Sequence, residues 1–144
     1  MTRRLWLVPT LLAAVLLASC GDTCSSAPAP VNSQAVTNGC NASGLAAGAA
    51  VTINVPLCPQ CTDTSPSCSG EVLANNIIEL SSVVQQCSGN SGCSTTACSV
   101  TPVACSLNQA LAAGTYTVTY LLANEQTTSE SVTVTSGGPA SCSL

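Results

Sequence analysis

Apolar and polar residues alternate along three short segments of this chain, residues 50–55, 115–120 and 131–135. A period of two is typical of a β-strand that buries one face and exposes the other. The last two segments, joined across residues 124–129, are predicted to form a C-terminal hairpin. The side chains predicted to face inward are Val51, Ile53 and Val55 in the first segment, Tyr116, Val118 and Tyr120 in the second, and Val132 and Val134 in the third.

Residues 72–86 fit two different elements. Strands would turn at Asn75-Asn76, and the β-branched residues of the segment favour that interpretation. Because the neighbouring segments read as strands, we expect a β-hairpin here. Residues 87–106 contain four cysteines together with Gly, Asn, Ser and Pro, and are expected to form a loop. The alternative for residues 72–86 is a helix, which would place on one face Leu73, Ile77, Leu80, Val84 and Cys87.

Residues 111–116, Leu-Ala-Ala-Gly-Thr-Tyr, resemble the tyrosine corner of immunoglobulin-like sandwiches. In that motif the tyrosine hydroxyl bonds back to upstream backbone. An antibody domain has a cysteine two residues after the tyrosine, where this chain has Val118. The resemblance therefore extends only to the broad sandwich class, which includes fibronectin type III-like modules. The expected fold class is all-β: a small disulfide-rich antiparallel β-sandwich (immunoglobulin-like), in one domain at residues 35–144.

The N-terminus has the pattern of an export signal. Arg3 and Arg4 precede an apolar stretch that ends in Leu17-Ala18-Ser19-Cys20. The stretch is shorter than the ~20 residues that span a bilayer, and Pro9 interrupts it. Leu-Ala-Ser-Cys resembles the lipobox of bacterial lipoproteins, which implies a diacylglycerol on the Cys20 sulfur and cleavage just before that residue. The alternative is a plain secretory signal.

This resemblance predicts the organisation of the chain. Residues 1–19 would be a signal peptide, and residues 20–34 the lipidated N-terminus with a flexible Pro/Ser/Ala-rich tether. The expected location is the bacterial cell envelope, lipid-anchored. In enterobacterial lipoproteins an Asp directly after the cysteine favours the inner membrane. Here Gly21 takes that place and Asp22 follows, which favours the outer membrane or cell surface.

Processing would change the charge of the chain. The two basic residues are Arg3 and Arg4, so their loss leaves six acidic residues and no Lys, Arg or His. Nucleic acid is excluded as a partner because nothing can neutralise phosphates. Contact with the membrane is expected through the covalent lipid on Cys20 alone. Without an imidazole or amine to activate a nucleophile, we expect no enzyme, no cofactor and no metal site.

The cysteine count agrees with lipidation. The chain has 11 cysteines, and an odd number in an exported protein leaves at least one without a disulfide partner in the same chain. If Cys20 carries lipid, ten remain for disulfides, whose pairing the spacing leaves open. Seven of them, from Cys58 to Cys105, are expected to pin two irregular loops to the sheets. The ten are Cys24, Cys40, Cys58, Cys61, Cys68, Cys87, Cys93, Cys98, Cys105 and Cys142.

Two motifs carry candidate chemistry. Cys58-Pro59-Gln60-Cys61 has the CxxC spacing of thiol oxidoreductases, but the turn-like residues 62–66 are unfit to begin the helix such a site needs. A structural disulfide is therefore favoured. Glu71 and Glu79 could form a carboxylate pair for acid–base work if they lie on neighbouring strands. Solvated surface carboxylates are the favoured interpretation.

Threonines also recur at alternate positions, at 115, 117 and 119 and again at 133 and 135. An ordinary solvated β face is favoured over a water-ordering surface, because regular repeats are absent. The absence of lysine leaves strand edges without their usual protection. The expected function is a non-catalytic envelope lipoprotein with structural, adhesion or recognition roles, whose partner is an envelope protein, a glycan or a second copy. The alternative is a thiol-redox accessory, or another envelope enzyme, acting through Cys58 and Cys61. A third possibility is a small-ligand carrier, which would need a pocket at an end of the sandwich that the sequence does not reveal.

Overall fold

The computed structural model describes residues 24–59, 63–87, 100–122 and 125–144. None of the helices in these ranges is long and apolar enough to cross a membrane. One short helix, α1, spans Gly39–Ser43, and a 3₁₀ turn spans Ala74–Asn76. The strands are β1 (Cys24–Pro28), β2 (Leu45–Ala46), β3 (Thr52–Leu57), β4 (Asp63–Leu73), β5 (Ile77–Cys87), β6 (Thr101–Leu107), β7 (Gly114–Leu121), β8 (Thr127–Thr135) and β9 (Ser141–Ser143).

The prediction of an all-β fold is confirmed, and so are the three alternating strands. They correspond to β3, β7 and β8, and β7 and β8 pair as an antiparallel hairpin. β8 begins four residues before the predicted segment, at Thr127. Each side chain predicted to face inward is at most 6% exposed, from Val51 in the first segment to Val134 in the last.

Residues 72–86 belong to a β-hairpin, as favoured from the sequence. β4 and β5 pair antiparallel, and the chain reverses through Asn75 and Asn76, whose φ angles are 63° and 58°. Asparagine tolerates this left-handed conformation better than most residues because its short side chain can bond locally. The hairpin places Glu71 directly opposite Glu79.

The strands form one mixed sheet, in the order β2-β8-β7-β5-β4-β6-β3-β9. The expected purely antiparallel arrangement is therefore wrong. β2 with β8, β3 with β9, β4 with β6 and β5 with β7 are parallel pairs. The β4–β6 and β5–β7 pairs arise because the long β4–β5 hairpin lies between β6 and β7, so each of its strands meets a later strand that runs the same way.

The two ends of the sheet approach each other, so the sheet is nearly closed. The Ala46 N–H, on β2, donates to the Pro139 carbonyl, just before β9, at 2.8 Å. A disulfide joins Cys40 in α1 to Cys142 in β9. Helix α1 ends at Gly44, where φ is +70° and a Cβ would lie 2.7 Å from the Thr133 carbonyl oxygen. A side chain there would push α1 away from β8.

The other two described disulfides join strands, which corrects part of the expected arrangement. Cys68 in β4 pairs with Cys105 in β6, and Cys24 in β1 pairs with Cys87 at the end of β5. These strand cysteines do not pin irregular loops. Residues 101–106, expected to be loop, belong to β6, whose backbone is held between β3 and β4. Residues 88–99 lie outside the described residues.

The segment expected to be a tether joins the domain. Residues 24–28 form β1, which pairs antiparallel with β5 from Cys24 opposite Cys87 to Pro28 opposite Val83. The Cys24–Cys87 disulfide explains this difference, since it holds a Pro/Ser-rich segment of weak strand propensity against the edge of β5.

The interior is filled by aliphatic side chains, two tyrosines and disulfides, since the chain has no Phe. Ile53, Val118 and Val132 are completely buried. Val31 is 1% exposed and forms bridges to Leu57, at the end of β3, and to Leu122, the residue after β7. Each buried aliphatic side chain stabilises the fold by about 1.5–3 kcal/mol, less than a large aromatic ring would, so covalent links matter more here.

We predict that the Cys40–Cys142 disulfide, which closes the sheet, stabilises the fold more than the Cys24–Cys87 disulfide does. Replacing Cys40 and Cys142 together by alanine should lower the free energy of unfolding by about 2–5 kcal/mol, because the bond closes a long loop and is buried. Urea denaturation measures this change. The control is the Cys24→Ala/Cys87→Ala pair, which frees an exposed edge strand and should cost less. An equal or larger loss in the control would contradict the prediction.

Candidate functional site

The outer face of β7 and β8 presents aligned hydroxyl groups. Thr115, Thr117 and Thr119 lie directly opposite Thr133, Ser131 and Ser129 respectively. All are exposed except Thr119, which is half-buried. We call these six residues, together with Ser81 on β5, the hydroxyl face. The prediction that the β7 threonines share a face is confirmed, and tertiary pairing adds the serines of β8.

Glu71 and Glu79 lie beside this face. They are cross-strand partners and both are exposed, and Glu79 is also the register partner of Thr119 on β7. Like charges at directly opposed positions repel each other. Residues 5–144 contain no Lys, Arg or His, so no side chain of the folded domain can neutralise the pair. The arrangement concentrates negative charge at one margin of an otherwise neutral surface.

A cleft opens next to Glu79, where β5 changes partner along one edge. Residues 77–79 of β5 pair with β7, whereas residues 83–87 pair with β1. A cleft of about 460 Å³ lies between these two stretches of pairing. Its lining includes Glu79, Ser81, Ser82, Thr119 and Leu121, with Pro28 on the β1 side.

Two hydroxyls that line the cleft already donate to backbone carbonyls. The Ser82 hydroxyl donates to the Ala29 carbonyl at 2.5 Å, and the Thr119 hydroxyl donates to the Ile78 carbonyl at 3.3 Å. The Ala29 N–H in turn donates to the Ser82 carbonyl at 2.8 Å. These bonds fix both side chains and use the single proton of each hydroxyl, which leaves only lone pairs for a further partner.

The opposite, inner side of β8 holds a carboxylate. Glu130 shares the inward face with Val132 and is half-buried. One of its oxygens accepts the Asn41 N–H of α1 at 3.2 Å, and the other is buried without a hydrogen-bond partner. Burial raises the pKa of Glu130, although the Asn41 bond opposes this. Burial, and secondarily the charge of Glu130, raises the pKa of Tyr120.

The CxxC motif is placed only in part. Cys58 directly follows β3 and is disulfide-bonded, and Cys61 lies outside the described residues, as do Cys20, Cys93 and Cys98. Among the described residues, no group of three or more His, Cys, Asp or Glu side chains is arranged to hold a metal ion.

Reasoning from the sequence missed the cleft, the buried position of Glu130 and the serines that complete the hydroxyl face. The alternation of residues 127–135 could have revealed the last two, because extending the period of Val132 and Val134 by one step places Glu130 inward and Ser129 and Ser131 outward. The cleft leaves no comparable pattern in the sequence.

No family model, curated protein or solved structure matches this chain. The site is therefore interpreted from its own geometry and chemistry.

We predict that Glu130 makes stability depend on pH. Because its folded-state pKa is raised, ionisation costs more in the folded than in the unfolded chain, and stability falls as pH rises from about 4.3 through the folded pKa. The unfolding temperature of Glu130→Gln should equal that of the wild type at low pH. Near pH 7 it should be a few degrees higher, the shift that a gain of about 1 kcal/mol produces in a domain of this size. Thermal unfolding between pH 3.5 and 7.5 measures this difference.

The control for that experiment is Glu125→Gln, which removes one negative charge from the exposed turn between β7 and β8. It shows how much of any gain comes from net charge alone. A Glu130→Gln curve that runs parallel to the wild type at every pH would contradict the assignment.

Proposed function

We propose that the protein is a lipid-anchored lipoprotein of the bacterial cell envelope whose β domain serves a structural, adhesion or recognition role without catalysis. The observation that carries the proposal is the hydroxyl face. All of its residues except Thr119 are exposed, its β7 and β8 members are in register, and its own side chains carry no charge. Such a surface offers donors and acceptors to neutral polar partners, an envelope protein or a glycan, without charge repulsion.

The chemistry of the domain supports an extracytoplasmic location. Three described disulfides link distant parts of the chain, and such bonds persist in oxidising compartments. The Leu17-Ala18-Ser19-Cys20 motif supports attachment through lipid on Cys20. One acyl chain binds a membrane only marginally, whereas the two or three chains of this class anchor it stably. The outer membrane or cell surface is favoured.

We also propose that the domain is related in architecture to immunoglobulin-like sandwiches. The support is the burial of Tyr116 near the start of β7, two residues after Gly114, together with the predominance of strands in the domain. The parallel pairs and near closure of the sheet are features in which this chain departs from the expected pattern.

Lipid attachment is tested by metabolic labelling with palmitate and mass spectrometry of the N-terminal peptide. We expect acyl chains on Cys20 in the wild type, and Cys20→Ala should lose both the label and its place in the membrane fraction. Cys24→Ala is the matched control and should keep the lipid, because Cys24 is used in a disulfide. Unlabelled wild-type protein would refute the anchor.

The recognition role is tested by crosslinking in intact cells. Thr117→Lys combined with Ser131→Lys places two charged side chains at opposed positions on the hydroxyl face and should reduce the wild-type crosslinks by about ten-fold or more, because a partner would have to bury the added charges. Ser141→Lys, at an exposed position on β9, is the control. Equal crosslinking by the face variant, or no crosslinks in the wild type, would contradict the role.

A further inference from the structure

The cleft along β5 has the dimensions of a small-molecule site. Its volume of about 460 Å³ falls within the range of ligand pockets in proteins. It is a product of the sheet, because β5 pairs with β7 at Glu79 and with β1 at Val83. The floor between these points is held by the Ala29–Ser82 hydrogen bonds, so the cleft is formed by paired backbone.

Two of the hydroxyls that line the cleft have no proton left for a ligand. Ser82 and Thr119 have committed their protons to the carbonyls of Ala29 and Ile78. Glu79 supplies a carboxylate, which accepts only. No lining residue carries a side-chain nitrogen, so the strongest donors in proteins are missing from the lining. The hydroxyls of Ser81, Tyr120 and Thr127 complete the polar lining and can accept as well as donate. A ligand that donates several hydrogen bonds therefore finds an acceptor in every polar side chain of the cleft.

The negative charge at the cleft also favours a ligand that donates hydrogen bonds, and in particular a cation. Glu79 is the lining carboxylate and Glu71 lies directly opposite it across the hairpin, with no basic residue in 5–144 to offset either. A bound cation would relieve this repulsion and form charge-assisted hydrogen bonds. The walls are different in character: Pro28, Val83 and Leu121 offer apolar contact. A bare metal ion would leave these walls unused.

We propose that the cleft binds a small organic ammonium ligand, with its charged amine at Glu79 and Thr119 and its apolar body against Pro28, Val83 and Leu121. A primary ammonium has three N–H donors and no acceptor, which complements the carboxylate and the two committed hydroxyls. This inference deepens the recognition role proposed above and rests on it for the cleft's use in the cell. The binding itself does not require the lipid anchor, and the cleft shares Ser81 and Thr119 with the hydroxyl face.

The test uses full-length protein purified in a nonionic detergent and saturation-transfer difference NMR with n-butylammonium as the probe. n-Butanol and butyrate, of similar size but neutral or negative, are the charge controls, at constant ionic strength and with detergent-only blanks. We expect n-butylammonium to bind at least about ten-fold more tightly than n-butanol, and butyrate not to bind. Equal binding of the three, or of the ammonium and the alcohol, would overturn the proposal.

Matched variants locate the site. Glu79→Gln should weaken n-butylammonium binding by about ten-fold or more, and Glu125→Gln, at the exposed turn, should leave it within about two-fold. Thr119→Val removes an acceptor at nearly constant shape and should weaken binding, whereas Thr119→Ser should retain it. Thermal unfolding verifies that each variant is folded. Unchanged binding in Glu79→Gln, or an equal loss in Glu125→Gln, would refute the site.

These outcomes are separable from those of the proposed function. Loss of probe binding with intact lipidation and crosslinking would reject the ammonium site alone. Probe binding by a protein that is neither lipidated nor crosslinked would reject the envelope role and leave the site standing.

Discussion

The Cys40–Cys142 disulfide is the link on which the shape of this domain depends. It joins α1, packed beside β8, to β9 at the other end of the sheet. Aliphatic side chains and two tyrosines fill the interior, because the chain has no Phe. A core of this kind yields less burial energy per side chain than one rich in aromatic rings, so covalent restriction of the unfolded chain carries a larger share of stability. The close approach at Gly44 shows how tightly this end is packed.

The absence of basic residues after Arg4 shapes every polar feature of the fold. Carboxylates of the domain cannot form ion pairs with basic side chains. Each must therefore be solvated or hydrogen-bonded, or else lower the stability of the fold by being buried without a partner. Glu71 and Glu79 remain exposed side by side, and Glu130 takes a backbone N–H of α1 as its partner. Neutral hydroxyls cover the adjoining surface. The domain thus offers oxygen acceptors and hydroxyls, a combination suited to neutral or positively charged partners.

The cleft follows from the fold, because one edge of β5 pairs first with β7 and then with β1. A long strand can pair with two shorter ones in succession, and the gap between them becomes a cleft without any special loop. Here the same hydrogen bonds that hold Ala29 to Ser82 and Thr119 to Ile78 also decide which protons remain available to a ligand. Structural bonding therefore leaves the Ser82 and Thr119 hydroxyls able only to accept from a ligand, because a hydroxyl has one proton to give.

The alternation of small aliphatic and polar residues by itself determined that the fold is all-β and which side chains of β3, β7 and β8 are buried, because burial of one face imposes a period of two. It also favoured the turn at Asn75-Asn76, where local conformation and chain reversal coincide. Parallel pairing, the cysteine partners and the strand at residues 101–107 were decided by tertiary structure, since they depend on contacts between residues far apart in the chain. The sequence predicted only the part of the hydroxyl face formed by the threonines of β7. The pairing of β7 with β8 adds the residues opposite them. The cleft beside Glu79 could not be predicted from the sequence, because it lies between the part of β5 that pairs with β7 and the part that pairs with β1, and no local pattern encodes that geometry.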